Sequence, residues 1–155
     1  MKKLIFFISI ILCLLFTSCS KGVKVEVDDV NACCDTSIFR GVKENMMFGE
    51  LCSILGDPNE YIDKKEGDEE SHNPIYYFKE GKLECYWSGS KRDEIGVVIY
   101  TPYQNHTYRI QDFLKLPLDK YGIDESTRKV NIYQEEDLYF SLTLDNYKIQ
   151  KIWKR

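Results

Sequence analysis

The sequence has few of the residues that catalytic and metal sites draw on most. It holds two histidines, His72 and His106, among 155 residues. It has no C-x-x-C pair, which removes support for a thioredoxin-like redox site or a zinc ribbon. It also lacks G-x-S-x-G, H-E-x-x-H and any Gly-rich phosphate loop, so no nucleophile, zincin or nucleotide motif is present. Basic excess is missing too. Lys and Arg total 21 against 25 Asp and Glu, a net charge of -4, which argues against a nucleic-acid partner. Six cysteines are too sparse for a disulfide scaffold. The longest apolar run, Leu4 to Phe16, is interrupted by Ser9. As a helix it spans roughly 20 Å, short of a ~30 Å hydrocarbon core. What remains is 43% apolar and 14% aromatic, the composition of a folded chain of about one domain.

That apolar run follows Lys2 and Lys3 and has the length of a signal-peptide core. Thr17, Ser18 and Cys19 come next. The stretch Leu15-Phe16-Thr17-Ser18-Cys19 resembles the lipobox of bacterial lipoproteins. The resemblance implies a signal peptide over 1–18, cut just before Cys19, and diacylglyceryl transfer to the Cys19 thiol. Residues 19–22 then form a lipidated Cys and short tether, and 23–155 a single domain. Several acyl chains give stable anchoring where one gives marginal binding. Ser20 and Lys21 carry no Asp of the inner-membrane sorting kind, which points to the outer membrane. Periplasm-facing and surface-exposed placements both remain open.

Along the rest of the chain, Val23, Val25 and Val27 alternate with Lys24 and Glu26 as in a strand with one buried face. Asp28 to Ser37 is irregular. Met46 to Leu55 reads as a helix with Met47, Leu51, Ile54 and Leu55 on one face, closed by Gly56 and Pro58. Asp63 to Pro74 reads as a polar loop. Ile75 to Lys79 and Lys82 to Trp87 read as a hairpin about Glu80-Gly81, with Leu83, Cys85 and Trp87 facing one way. Ser88 to Glu94 reads as a turn and Ile95 to Thr101 as a central strand. Asp124 to Lys129 suggests a short helical turn. Leu138 to Leu144 and Tyr147 to Trp153 read as strands joined at Asp145-Asn146.

The segment Met46-Met47-Phe48-Gly49-Glu50-Leu51-Cys52-Ser53-Ile54-Leu55-Gly56-Asp57-Pro58, followed by aromatic hairpins, resembles the SmpA/OmlA group of BamE-like lipoproteins and the related β-lactamase inhibitor protein fold. That likeness implies an α+β domain, short helices packed on an antiparallel sheet, that binds proteins without catalysis. The hydroxyl cap usual in the family is replaced by Met47, and Asn45 stands ready to cap instead.

The remaining candidates are few. Cys33, Cys34, Cys52 and Cys85 can pair after export. The favoured bridge is Cys52–Cys85, helix to inward strand face; the other reading makes both small buried hydrophobes. His72 with Asp68, Glu69 and Glu70 reads as a solvated acidic loop rather than a metal site. The enrichment left is 11 tyrosines, a residue type that suits both strands and interfaces. Tyr76, Tyr86 and Tyr139 are the candidate protein-binding positions. The sequence therefore reads as a non-enzymatic, cofactor-free, lipid-anchored envelope protein that binds another protein, in an accessory or structural role at the outer membrane. The alternative is an immunity or inhibitor protein that blocks a toxin or envelope enzyme. Globomycin should cause the uncut precursor to accumulate in the native bacterium; normal processing under the drug contradicts the lipoprotein assignment.

Overall fold

The computed structural model describes residues 22–31, 38–66, 69–88 and 91–154, and the side chains of 64–71 and 91–93 are left aside. The signal peptide, Cys19, Ser20, Lys21 and the Cys33-Cys34 pair lie outside the described residues. Eight strands form one sheet: β1 (Val23–Glu26), β2 (Glu60–Glu66), β3 (Glu69–Tyr77), β4 (Gly81–Ser88), β5 (Lys91–Pro102), β6 (Lys129–Gln134), β7 (Asp137–Asp145) and β8 (Lys148–Lys154). Their spatial order is β1-β6-β7-β8-β5-β4-β3-β2. Two antiparallel meanders, β2 to β5 and β6 to β8, meet along β5 and β8, and β1 pairs parallel with β6 at the edge.

The register explains the core. Val23, Val130, Leu142, Ile152, Tyr100, Leu83 and Tyr76 are consecutive cross-strand partners on one face. One row further along, Val25, Ile132, Phe140, Lys154, Val98 and Cys85 are partners in the same way. Side chains at alternate positions share a face, so these two rows form one apolar surface. It is covered by Ile38, Phe39 and Val42, by Leu51 of helix α1 (Phe48–Leu55), and by Ile110, Phe113, Leu114 and Ile123 around helix α2 (Ile110–Phe113). Lys154 is the one cation in these rows; its ammonium lies 5.1 Å from the Phe39 ring centroid.

The expected α+β domain of the BamE or β-lactamase inhibitor kind is not what forms. The molecule is mainly β, its sheet is mixed, and the two α-helices named among the described residues are short. Three segments account for the difference. The polar stretch 63–74 has no apolar face, yet it runs through β2 and β3 in an unbroken antiparallel ladder. Backbone N–H and C=O groups satisfy each other there, so the strands need no burial of their own to form beside a buried neighbour. The stretch 88–94 likewise lies largely within the β4–β5 hairpin. Lys129 opens β6 instead of ending a helical turn, because Val130 and Ile132 fall on the inner face and are fully buried. The turn before it is held by Asp124, whose carboxylate accepts from the Ser126 N–H at 2.9 Å.

Other expectations hold with shifts. Helix α1 stops at Gly56, at φ 79°. Its N-terminal N–H, on Met47, donates to the Glu50 carboxylate at 2.8 Å, so Glu50 supplies the cap that Asn45 was expected to give. Leu51 is buried, whereas Met47 and Ile54 of the expected face are exposed. The first hairpin turns at Lys79-Glu80, one residue early, with the Phe78 N–H donating to the Gly81 carbonyl at 2.8 Å. The last turns at Asn146-Tyr147, one residue late, with φ of 45° and 62°. Gly81 starts β4 under close cover: a β-carbon there would lie 2.6 Å from the Thr101 carbonyl oxygen and 2.7 Å from the Tyr100 hydroxyl. Gly81→Ala should therefore cost about 2 kcal/mol of stability by overpacking. Gly49→Ala, which meets open space, should cost nothing, and urea unfolding of both variants checks the contrast.

Candidate protein-binding face

The second face of the sheet is built by the residues between the inner rows. Lys24, Asn131, Ser141, Trp153, Ile99, Glu84, Ile75 and Glu60 are consecutive partners across all eight strands. The covering segments named above all join the inner cluster, and Ile75 and Ile99 do not belong to it. Along this row Ser141, Ile99, Glu84 and Ile75 are each at most 8% exposed, and its exposed members are Lys24, Trp153 and Glu60.

Trp153 is its centre. Ile149 and Ile152 are buried on the inner side, so the indole that follows Ile152 must project outward, and it is 40% exposed. Beside it lies a hollow of about 400 Å³ lined by Val97, Lys129, Leu138, Ser141, Thr143 and Trp153. The lining is mostly apolar with a few polar groups, as in sites that anchor a side chain of a partner. The Ser141 hydroxyl is committed to Asn131 Oδ1 at 2.8 Å, which fixes the floor of the hollow. Lys129 and Lys151 lie on this face near Trp153, each opposite Thr143, and Lys24 stands farther off on β1, its ammonium 4.4 Å from the Tyr133 ring centroid. The far side is acidic and aromatic. There Glu84 pairs with Lys82 at 3.2 Å, and the Tyr77 hydroxyl donates to Glu60 at 2.8 Å.

The three candidate tyrosines do not share a surface. Tyr76 is 1% exposed, an inner-row residue sealed in the core, and it offers nothing to a partner. Tyr139 packs against the core side, its ring centroid 5.4 Å from that of Phe140 and 5.1 Å from the Lys154 ammonium. Tyr86 does lie on the outer face, opposite Val97 and half-buried; burial first, then Glu84, raises its pKa. Strand propensity explains Tyr76 and Tyr139, and only Tyr86 belongs to the outer face. Trp153, Leu138 and Val97 were missed in the sequence. The one signal for Trp153 was the adjacent apolar pair Ile152-Trp153, which in a strand must put one member outside.

The expected Cys52–Cys85 bridge is not made; both are free thiols. The helix does bring Cys52 toward Cys85, but Tyr76 stands beside both. Its hydroxyl is buried without a hydrogen bond of good geometry, although Cys52 comes near enough to help raise its pKa after burial itself. Burial alone pushes the Cys85 thiol up to about 12, so it stays protonated and inert. His72 pairs across the hairpin with Asp63 at 2.6 Å, both exposed; Asp68 and the side chains of Glu69 and Glu70 lie outside the described residues. Among the described residues no three His, Cys, Asp or Glu side chains converge to hold a metal, and no helix is long and apolar enough to cross a membrane. Comparison with protein-family models, with curated proteins and with solved structures found no match.

Cys85 makes a pH prediction. Its folded pKa lies above the ordinary 9.0, so unfolding releases its proton in alkali. Its share of stability is complete below about pH 9 and falls between about 9 and 12, by up to ~1.4 kcal/mol per pH unit. Cys85→Ala should remove that share of the slope in urea titrations, and the Cys52 and Cys85 peptides should alkylate fully in denaturant without reductant.

Proposed function

We propose that this chain is a lipid-anchored envelope protein that works without catalysis, by docking a second protein on the outer sheet face around Trp153. The observation that carries this reading is the half-exposed indole beside a largely apolar hollow on the outer side of the sheet. A rigid aromatic next to a pocket is the usual core of a protein interface, and a strand-borne site holds its geometry better than a loop. Lys129 and Lys151 beside it would form the polar rim and select a partner of acidic character at that point. The lipobox at Cys19 supports placement at the outer membrane with the membrane itself as the first partner. The assembly role implied by the BamE-like resemblance depended on a fold that does not form, so it is not carried forward.

The test is crosslinking pull-down of the lipidated protein from its own membranes, with a photo-crosslinker in place of Thr143. A discrete partner should be captured. Trp153→Ala should reduce its yield about tenfold, the loss of an interface hot spot, while Tyr61→Ala, exposed on another surface, should leave it unchanged. Equal capture by wild type and Trp153→Ala would falsify the assignment of this face.

A further inference from the structure

At the two ends of β6, β7 and β8 the sheet carries hollows of opposite charge. By the register, one end of the sheet carries the start of β1, the start of β6, the end of β7 and the start of β8. At this end a hollow of about 340 Å³ is lined by Arg109, Gln111, Leu118, Asn146, Tyr147 and Lys148, with two cations and no carboxylate. Arg109 and Lys148 are held together there by a backbone bridge. Arg128 and Lys129 lie at the same end, as do the carboxylates of Asp145 opposite Lys148, Asp124 and Glu125 of the preceding turn, Asp119 beside Leu118, and Glu80 of the β3–β4 turn. The opposite end of the same strands is the reverse. A hollow of about 580 Å³ there is lined by Glu44, Gln134, Glu135, Asp137, Leu138 and Tyr139, with three carboxylates and no cation.

The tether leaves from the basic end. Gly22, just before β1, is packed so closely on β6 that a β-carbon would lie 2.9 Å from Asn131 Nδ2 and 3.1 Å from Lys129. Three peptide links separate Gly22 from Cys19, a reach of about 10 Å. The β7–β8 turn lies between two and three strand spacings from β1, about 12 Å. A chain anchored at Cys19 has no slack to lift this end far from the bilayer.

We propose that the basic strand ends, centred on the Arg109–Lys148 hollow, rest on the anionic headgroups of the membrane that holds Cys19, and stand the sheet on end with its Trp153 face turned sideways. The ligand class is the phosphodiester headgroup. Two guanidinium and ammonium groups match it, Asn146 and Gln111 add amide donors, and Tyr147 suits the interfacial depth. The three carboxylates lining the far hollow are repelled by the same surface, which together with the short tether favours this orientation. An acyl anchor with a basic patch is a two-signal attachment, stronger and more oriented than either alone.

This inference rests on the lipoprotein reading, and one experiment separates the two. The processed protein is placed in vesicles of phosphatidylcholine, with or without phosphatidylglycerol, and its lysines are acetylated and read by mass spectrometry. Lys148 and Lys129 should label about threefold more slowly in the anionic vesicles, with Lys43, near the far end, unaffected. Arg109→Glu with Lys148→Glu should abolish the difference at Lys129 while the protein stays vesicle-bound. Equal labelling in both vesicles on a chain whose Cys19 peptide carries acyl mass overturns this orientation and leaves the anchor standing. An unmodified Cys19 peptide, on a chain that washes off the vesicles, overturns the lipoprotein reading and this proposal with it. Protection of Lys148 by inorganic phosphate in the neutral vesicles marks a site for a free anion and also overturns the membrane assignment.

Discussion

One constraint underlies this molecule: the cross-strand register that aligns two apolar rows on one side of eight strands. Val130, Leu142, Ile152 and Leu83 are each essentially fully buried in one row, and Ile132 and Cys85 in the other. A slip of one residue in any strand would send its share of the row to the opposite face and bring polar side chains inward. The ladder is therefore held less by intrinsic strand preference than by the cost of exposing these side chains, about 1.5–3 kcal/mol apiece. The short covering pieces contribute few residues each, and the rows are what they have in common. Phe39, Leu51 and Phe113 come from three separate parts of the chain and close over the same surface.

The outer face follows from the same register. Once Ile149 and Ile152 are committed inward, Trp153 and Lys151 have no choice of side. Once Val130 and Ile132 are inward, Lys129 and Asn131 go out beside them. An indole, a serine–asparagine hydrogen bond and two lysines thus meet on one face, although their residues are up to two dozen positions apart in the chain. Ile99 and Ile75 are buried on that side, so the face combines a firm floor with the exposed Trp153.

The pair of oppositely charged hollows belongs to the third level, that of the strand ends. Turns and entry points are polar in any sheet. Here the hollow at one end collects Arg109 and Lys148, and that at the other collects Glu44, Glu135 and Asp137. The net charge of -4 conceals this, since a sum over the chain is blind to where antiparallel strands bring their ends together.

The helix at Phe48–Leu55, its stop at Gly56, and the strands through Leu83, Val98 and Leu142 were legible because each has a local period and a local terminator. The β2–β3 hairpin was not, since its ladder is satisfied by backbone pairing and leaves no apolar trace in Asp63-Lys64-Lys65-Glu66. β6 was hidden for a related reason: Val130 and Ile132 are only two apolar positions, too few to mark a strand before their partners in β7 are known. The tyrosines show the limit at the level of the site. Alternation says that successive residues face opposite ways, but it does not say which way is covered. That depends on which distant segments pack over the sheet, and so Tyr76 became core while Trp153 became surface. By itself the sequence determined the local elements, the absence of catalytic motifs and the lipobox-like entry to the chain. Only the tertiary structure decided the mixed sheet, the free thiols held beside Tyr76 and the outer face, because each depends on contacts between residues far apart in the chain.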